Sequence, residues 1–255
     1  MLHLETVEPH TFSVLKQLLE IPGLNEFSLV GGTALSLLYG HRKSEDLDLF
    51  CAKTFDNNVV VNALEKKFKE SFVNRTTNPR FGIFGFIEKL KIDIIRHPHP
   101  LIRKEFLIDG IRMFSPEDII AMKVQAVLGR AKKKDFWDIA ELLKHYSVDD
   151  FIRFHKEKYA KQNLLITVPQ AITYFADAEE SEEPISLKKQ NWESVKKNIS
   201  EKVSAYLAWA LTPRPLSTMW RGVPKVKTCG VNVRGETRKL KMMRNEKQPD
   251  CSGVL

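Results

Sequence analysis

The sequence has no long apolar run and little cysteine. No segment approaches the roughly 18 consecutive apolar residues that a membrane-spanning helix requires. The first ten residues carry Glu5 and Glu8, where a signal peptide has basic and then apolar residues. Three cysteines, Cys51, Cys229 and Cys251, match the spacing of neither a disulfide framework nor a structural zinc site. We therefore expect a cytoplasmic protein with no membrane partner.

The main body of the chain also lacks an excess of charge of either sign. The formal net charge is +8, but residues 212–255 hold ten lysines or arginines against three acids, which leaves 30 basic and 29 acidic residues before them. Overall basicity therefore gives no argument about the substrate of the main body. The same last segment has scattered proline and glycine without an amphipathic period, which is typical of a disordered basic tail. An unselected extension of the reading frame would look the same.

The order of predicted elements indicates an α+β fold. Apolar residues at helical spacing predict an opening helix that stops at Pro22 and Gly23. A strand over 27–30 leads through Gly31-Gly32 into a helix over 33–39, and polar-apolar alternation predicts a strand over 46–50. Further predictions are a helix over 57–70, strands over 71–74, 81–88 (a central strand) and 90–96, a hairpin over 105–113, a helix starting at Ser115, helices over 133–146, 148–161, 170–178 and 191–209, and an exposed loop over 177–184.

Three aspartates in this pattern need a chemical explanation. Asp46 and Asp48 stand at i and i+2, which on a strand places both carboxylates on one face, a costly arrangement unless a cation neutralises them. Asp93 lies at the centre of an otherwise apolar strand. Hard divalent ions take oxygen ligands, and a two-ion site can stabilise the attacking and leaving oxygens of a phosphoryl displacement. An Asp-x-Asp strand alone is more often a solvated face, but the combination predicts a site for two Mg²⁺ ions.

Other polar residues are candidates for binding a triphosphate. Gly31 and Gly32 lack a Cβ, so their N–H groups can approach a phosphate, and the following helix N-terminus adds a favourable dipole. Arg42 is predicted to hold a phosphate, and Ser44 to bond to a phosphate oxygen. Lys123 lies on or beside the apolar stripe of its helix, which either snorkelling or contact with the triphosphate explains.

Two further groups of residues have ordinary explanations. Arg130 and Lys132–Lys134 form a basic cluster near Trp137, which is compatible with binding a nucleic-acid backbone but more often is simply solvated. His97 and His99, separated by a proline after a strand, are interpreted as loop residues, because nothing nearby completes a tetrahedral metal site.

Two stretches of the sequence resemble a known family. The run Gly31-Gly32-Thr33-Ala34-Leu35 and the segment 40–50, GHRKSEDLDLF, resemble the signature of the AbiEii/AbiGii toxin family of nucleotidyltransferases, within the DNA polymerase β-like superfamily. The resemblance continues through Asp93, Lys123 and the segment 134–139, KDFWDI, and covers residues 10–160. It implies a polymerase β-like mixed sheet with flanking helices, followed by a helical C-terminal half.

The resemblance also implies an activity and a set of site residues. The expected reaction moves a nucleotide from an NTP to an acceptor, with two Mg²⁺ ions held by the three aspartates. Asp135 and Asp138 share a helix face and would orient Lys123 or the acceptor, an assignment that rests on the family motif. The predicted catalytic residues are thus Asp46, Asp48, Asp93, Lys123, Asp135 and Asp138, and the predicted nucleotide-binding residues are Gly31, Gly32, Arg42, Ser44 and Lys123.

The family setting suggests partners and leaves alternatives open. Some relatives modify tRNA acceptor ends, and the usual context is a toxin–antitoxin or phage-defence (abortive infection) pair, with a cognate antitoxin protein or its transcript as partner. A small-molecule nucleotidyltransferase and a non-catalytic module that binds a partner or nucleic acid remain alternatives. The predicted organisation is a catalytic core over 1–114, a helical region over 115–211 that completes the active site, and the tail over 212–255.

Overall fold

A mixed sheet forms the centre of residues 1–212, the part of the chain that the computed structural model describes. Its seven strands are β1 (Ser28–Val30), β2 (Leu47–Cys51), β3 (Phe72–Asn74), β4 (Ile83–Ile87), β5 (Leu90–Arg96), β6 (Phe106–Ile108) and β7 (Ile111–Met113). Their order across the sheet is β3-β4-β5-β2-β1-β7-β6. The pairs β2·β5 and β1·β7 are parallel and the others antiparallel. All of the predicted tail except Thr212 lies outside the described residues.

Helices flank the sheet and make up the second half of the described chain. They are α1 (Pro9–Leu19), α2 (Gly31–Tyr39), α3 (Asn57–Phe68), α4 (Pro116–Arg130), α5 (Lys133–Leu142), α6 (Val148–Lys158), α7 (Val168–Thr173) and α8 (Trp192–Leu211). α4 packs on α2, α5, α6 and α7, while α5 also packs on α2 and α8. The predicted α+β class is therefore confirmed. Within residues 1–212, no helix combines the length and apolar character needed to cross a bilayer.

Local turn and cap chemistry sets several of these boundaries. Asp109 and Gly110 both have positive φ, 50° and 81°, as a tight hairpin turn between β6 and β7 requires. The Ser115 side chain accepts a hydrogen bond from the backbone N–H of Asp118 and caps α4, with Pro116 at the first helical position. Gly40 ends α2 in the left-handed conformation, with φ 65°. These short-range signals act within a few residues, so the sequence alone predicts them.

Several predictions about elements need correction, and the helix predicted over 133–146 ends at Leu142. β2 begins at Leu47, so Asp46 lies just before the strand and not in it. β2 is the central strand; β4 is one strand from the edge, and Phe86 on its second face is 37% exposed. The helix predicted over 170–178 is shorter in the structure, because α7 ends at Thr173. At this end the Thr173 hydroxyl donates a hydrogen bond to the carbonyl of Pro169.

Part of the predicted exposed loop is packed against the body of the molecule. The Ser181 hydroxyl accepts a hydrogen bond from the N–H of Lys133 and donates one to the carbonyl of Ala178, which is fully buried. Just beyond it, the segment 185–187 pairs with the segment 41–43: the N–H of Lys43 donates to Ile185 and the N–H of Leu187 donates to His41. We call residues 185–187 the strap. It fixes the loop that leads into β2.

Candidate active site

A cavity of about 690 Å³ opens over the sheet where α2, β2, β5, α4 and α5 meet. This volume lies in the range of roughly 300–1,000 Å³ that is typical of small-molecule sites. What we call its charged end contains Gly31, Gly32, Asp46, Asp48, Asp93 and two lysines, Lys91 and Lys134. Its aromatic end contains Phe50, Ile95, His97, Met122, Gln125 and Tyr159. The structure thus brings all three predicted metal-binding acids to one cavity.

Asp48 and Asp93 face each other across two strands. They are direct partners in the register of the parallel pair β2·β5. Burial raises the pKa of the Asp48 carboxyl to about 6, and the neighbouring Asp93 carboxylate adds to the rise. The Asp93 Oδ1 atom is buried and has no hydrogen-bond partner within residues 1–212, whereas its Oδ2 atom lies 2.5 Å from the Lys91 Nζ atom. Negative charge is therefore concentrated here and incompletely compensated.

Asp46 approaches the same cavity from the loop before β2. Its main-chain carbonyl accepts a hydrogen bond from the Thr33 hydroxyl, and its Oδ2 atom lies 2.9 Å from the Lys134 Nζ atom. Partial burial opposes ionisation, but the bond to Lys134 and its positive charge prevail, so the pKa of Asp46 lies below its usual value. Asp46 is thus ionised and already bound to a cation that the protein itself supplies.

The donor set fits a hard divalent cation. Carboxylate oxygens are the ligands that such ions prefer, and the unpartnered Asp93 Oδ1 atom is an acceptor that a cation would satisfy. As they stand, the described residues contain no group of three acidic, histidine or cysteine side chains in the arrangement of a metal centre. Lys91 and Lys134 instead neutralise two of the acids. Both ammonium groups sit on flexible, partly exposed side chains that can move away.

Gly31 and Gly32 make room for charged side chains at the start of α2. Gly31 has φ 71°, and a Cβ atom there would lie 2.5 Å from the Asp48 Oδ2 atom. A Cβ atom on Gly32 would lie 2.1 Å from the Arg42 Nη2 atom. The glycine pair is therefore required by the packing of Asp48 and Arg42. Its predicted contact with phosphate stays a prediction.

We expect Gly31→Ala to disable the site through this contact. The positive φ costs any L side chain about 1–2 kcal/mol, and the new Cβ would also displace the Asp48 carboxylate. Gly110→Ala is a matched control, because Gly110 has φ 81° but a Cβ atom added there would meet nothing within 4 Å. Thermal unfolding should show similar losses of stability in both variants, while nucleotide transfer should fall at least tenfold only in Gly31→Ala. Equal activity in the two variants would contradict the role of this contact.

A buried ionic cluster stands behind the charged end. The Arg42 Nε and Nη2 atoms donate to the Asp138 carboxylate at 2.7 and 2.9 Å, and the His41 Nε2 atom lies 2.7 Å from the same group. The Lys123 Nζ atom lies 2.6 Å from Asp138 and 2.8 Å from Asp135. Each of these residues is at least 90% buried. The cluster joins the loop before β2 to α4 and α5.

Charge compensation in this cluster outweighs burial. Although burial alone would raise it, the pKa of Asp138 is held well below its usual value by Arg42 and Lys123. Burial likewise opposes the charged forms of Arg42 and Lys123, but their aspartate partners prevail and raise both pKa values. The third guanidinium nitrogen of Arg42, Nη1, donates to the carbonyl of Lys43. In this arrangement the Arg42 side chain positions the loop, and its predicted bond to phosphate stays a prediction.

Ser44 is linked to the glycine turn through a neighbouring hydroxyl. Its Oγ atom lies 2.9 Å from the Thr33 Oγ1 atom, and the backbone N–H of Ser44 donates to the carbonyl of Thr6. Both hydroxyl-bearing residues line the cavity. Ser44 is therefore next to the place where a phosphate is predicted, with its hydroxyl bonded inside the protein.

Several residues of the site and its support are absent from the sequence-based prediction. Lys91 stands two residues from Asp93 on the same strand face, a signal that the sequence contained. Lys134 belongs to the predicted basic cluster, but its bond to Asp46 joins residues 88 positions apart. Asp118 and Lys158 form a fully buried ion pair beside the aromatic end, with 2.6 Å between carboxylate and ammonium. The two residues are 40 positions apart in the sequence. No pattern in the sequence pairs these residues.

Comparisons with known proteins identify the family and the fold. Residues 13–213 match the family model for the nucleotidyl transferase AbiEii toxin, which belongs to type IV toxin–antitoxin systems. An uncharacterised protein of Aquifex aeolicus is 29% identical over 200 residues, which are 76% of this chain and 94% of that protein. A candidate nucleotidyltransferase from Helicobacter pylori has a crystal structure with the same fold, with a TM-score of 0.50 and 19% identity over 81% of this chain and 100% of that one. MenT4, a nucleotidyltransferase toxin from Mycobacterium tuberculosis, gives a TM-score of 0.49 and 14% identity over 75% and 81% of the two chains.

Proposed function

The chain belongs to the AbiEii family of nucleotidyltransferase toxins, and from this premise we propose that it transfers a nucleotide from an NTP to an RNA acceptor in a magnesium-dependent reaction. A tRNA 3′ end is the first acceptor to test, and the cytoplasm, which holds NTPs and tRNA, is the proposed location. The observation that carries the proposal is the direct pairing of Asp48 with Asp93 beside the glycine turn. Neither a solvated strand face nor a purely structural pair explains two apposed carboxylates with an unpartnered buried oxygen.

Asp46, Asp48 and Asp93 are the residues that would hold the metal. Two Mg²⁺ ions, when bound, supply the positive charge that stabilises the attacking and leaving oxygens of an in-line displacement. The protein's own contribution is to hold three carboxylates together at the centre of the sheet. The register of β2 and β5 fixes Asp48 and Asp93, and the loop before β2 supplies Asp46. Lys91 pairs with Asp93 and Lys134 pairs with Asp46 until the substrate arrives. Their ammonium groups then become available to phosphate oxygens.

The remaining residues position the substrate. We assign the β- and γ-phosphates to the N-terminus of α2, where Gly31 and Gly32 leave the backbone N–H groups accessible. The acceptor hydroxyl loses its proton to solvent, its oxygen forms the new bond to the α-phosphorus, and the bond from that phosphorus to the departing pyrophosphate breaks. Lys123 adds positive charge from the cavity wall, and Asp135 and Asp138 hold its ammonium group in place.

The helical region is part of the proposed catalytic unit. α4 supplies Lys123 and α5 supplies Lys134, Asp135 and Asp138, all of which converge on the cavity or the cluster behind it. These contacts support the proposal that residues 115–211 complete an active site based on a core of residues 1–114. Membership of a type IV toxin–antitoxin family further suggests an antitoxin, either protein or transcript, as the regulatory partner.

Labelled nucleotides test the proposed reaction directly. The purified protein is incubated with each of four NTPs labelled at the α- or the γ-phosphate, with cellular RNA, and with either Mg²⁺ or a chelator. We expect label on RNA from one or more α-labelled NTPs, none from γ-labelled NTPs, and none with the chelator. Label transferred from the γ-position would contradict nucleotide transfer. Label on small hydroxyl compounds with none on RNA would favour a small-molecule acceptor.

A further inference from the structure

The aromatic end of the cavity is a continuous group of rings. The Phe50 and His97 ring centroids are 5.7 Å apart, and the centroids of His97 and Tyr159 are 6.1 Å apart. The Tyr159 hydroxyl lies 3.4 Å from the His97 Nε2 atom and holds that imidazole in place. Phe50 and His97 are only partly buried, so their surfaces face the cavity. The charged-end chemistry of the proposed reaction uses none of these rings.

This end of the cavity is also uncharged. Burial and the nearby ammonium of Lys158 lower the pKa of His97 to about 3, so its imidazole is neutral at physiological pH. The polar side chain among the other lining residues of this end is Gln125, whose Oε1 atom lies 3.2 Å from the His155 Nε2 atom. Such a surface suits a planar, uncharged ring with hydrogen-bonding edges. It does not suit a phosphate.

Strand register places the glycine turn and the aromatic end on opposite sides of Asp48 and Asp93. β1 runs antiparallel to β2, with Val30 opposite Asp48 and Ser28 opposite Phe50. Gly31, which follows Val30, therefore lies beyond Asp48 toward the start of β2, while Phe50 lies beyond it toward the end. In the parallel strand β5, Ile95 and His97 extend in the same direction as Phe50. The step from residue 93 to residue 97 is about 13 Å at the rise of a strand.

In-line chemistry assigns the two ends different substrates. The attacking and leaving oxygens lie on opposite sides of the phosphorus. If pyrophosphate leaves toward Gly31 and the α2 N-terminus, the acceptor hydroxyl arrives from the side of Phe50 and His97. The group attached to that hydroxyl is then the one that contacts the rings.

We propose that Phe50, His97 and Tyr159 form a stacking site for the terminal nucleobase of the RNA acceptor. This inference rests on the proposed function and adds to it how the acceptor is held. Aromatic faces stack on any base, so the site binds a nucleic-acid end without demanding one sequence. The Gln125 amide adds a hydrogen-bonding group at the edge of a stacked ring.

Stacking is measured with a short RNA that carries 2-aminopurine as its 3′-terminal base, because the fluorescence of this base falls when it stacks. The Phe50→Leu and His97→Leu variants lack the ring on which a base can stack but keep an apolar side chain at each position. Phe50→Tyr and His97→Phe keep a ring. Phe106→Leu, at a partly buried aromatic residue on edge strand β6 that does not line the cavity, is the control for loss of a ring as such.

The wild-type protein and the Phe106→Leu variant should quench the fluorescence. Phe50→Leu and His97→Leu should weaken binding of this RNA and raise the KM for acceptor RNA about tenfold, the effect of losing one base stack, with the KM for NTP changed less than twofold. The two ring-keeping variants should restore binding. If the leucine variants raise the KM for NTP and bind RNA normally, the inference is overturned and the rings belong to the site of the NTP base. If neither the KM for NTP nor RNA binding changes, the inference is overturned as well. Quenching by a wild-type protein that transfers no nucleotide would preserve the inference and refute the proposed function.

Discussion

Asp48→Asn is expected to lower kcat for nucleotide transfer by at least about 10³-fold while leaving the protein folded. Bound metal contributes several kcal/mol of charge stabilisation to a phosphoryl displacement, and each 1.36 kcal/mol is a factor of ten in rate. Asp48 is the acid that faces both Asp93 and the glycine turn, so its loss affects the proposed site at its centre. The measurement is single-turnover transfer from an α-labelled NTP to RNA at saturating Mg²⁺.

The same substitution should stabilise the metal-free protein at neutral pH. The folded-state pKa of Asp48 is raised from 3.8 to about 6, so ionisation opposes folding increasingly as the pH rises through this window, and the full cost is present above it. A neutral asparagine avoids this cost, which is at most about 3 kcal/mol. Denaturant unfolding with chelator at pH 8 should therefore show a more stable variant, and most of the difference should be lost by pH 4. Added Mg²⁺ should stabilise only the wild-type protein.

Glu45→Gln is the control for this prediction. It removes one negative charge from an exposed side chain next to Asp46 that does not line the cavity. We expect its kcat to stay within twofold of wild type. An Asp48→Asn protein with normal activity would refute the assignment of the metal site, and an inactive protein that no longer folds would refute the predicted gain in stability.

Asp138→Asn is expected to give the largest loss of stability, about 3–5 kcal/mol, which corresponds to a fall in Tm of roughly 10 °C. The Asp138 carboxylate is the common partner of His41, Arg42 and Lys123, and its neutralisation would leave two buried cations incompletely compensated. Transfer activity should fall as well, because the loop before β2 and the Lys123 ammonium would lose their shared anchor. Thermal and denaturant unfolding measure the first effect.

The pH dependence of unfolding distinguishes a stabilising role of Asp138 from a role in the reaction alone. Because the pKa of Asp138 lies well below its usual value, the stability that it contributes is present above pH 4 and is lost as the pH falls further. As the pH falls below 4, the wild-type protein should lose this contribution to its free energy of unfolding, whereas the Asp138→Asn variant, which has no carboxylate to protonate, should not. Asp177→Asn, at an exposed aspartate, should change the free energy of unfolding by less than about 0.5 kcal/mol. Unchanged stability of Asp138→Asn with lost activity would contradict the anchoring role.

Much of the local structure could be predicted from short-range patterns. The Asp109-Gly110 turn, the Ser115 cap and the strand over 90–96 all occur as predicted, because each depends on residues within a few positions of one another. The predicted start of β2 is one residue too early, because the alternation that predicts a strand does not indicate where its ladder of hydrogen bonds begins. The AbiEii relationship, suggested by the segments 31–35 and 40–50, is confirmed by the family match.

The sequence by itself determined which side chains are candidates for the proposed chemistry: two acids at strand spacing, a third acid in an apolar strand, and glycines before a helix. Only the tertiary structure decided how they meet. It pairs Asp48 with Asp93 and brings the Asp138 carboxylate to the Arg42 guanidinium, 96 positions away in the chain. It also brings the Lys134 ammonium to Asp46 and lines the aromatic end of the cavity with rings. The physical reason is that local preferences act over a few residues, whereas strand register and helix packing are decided by burial of the whole core and by the compensation of charge within it.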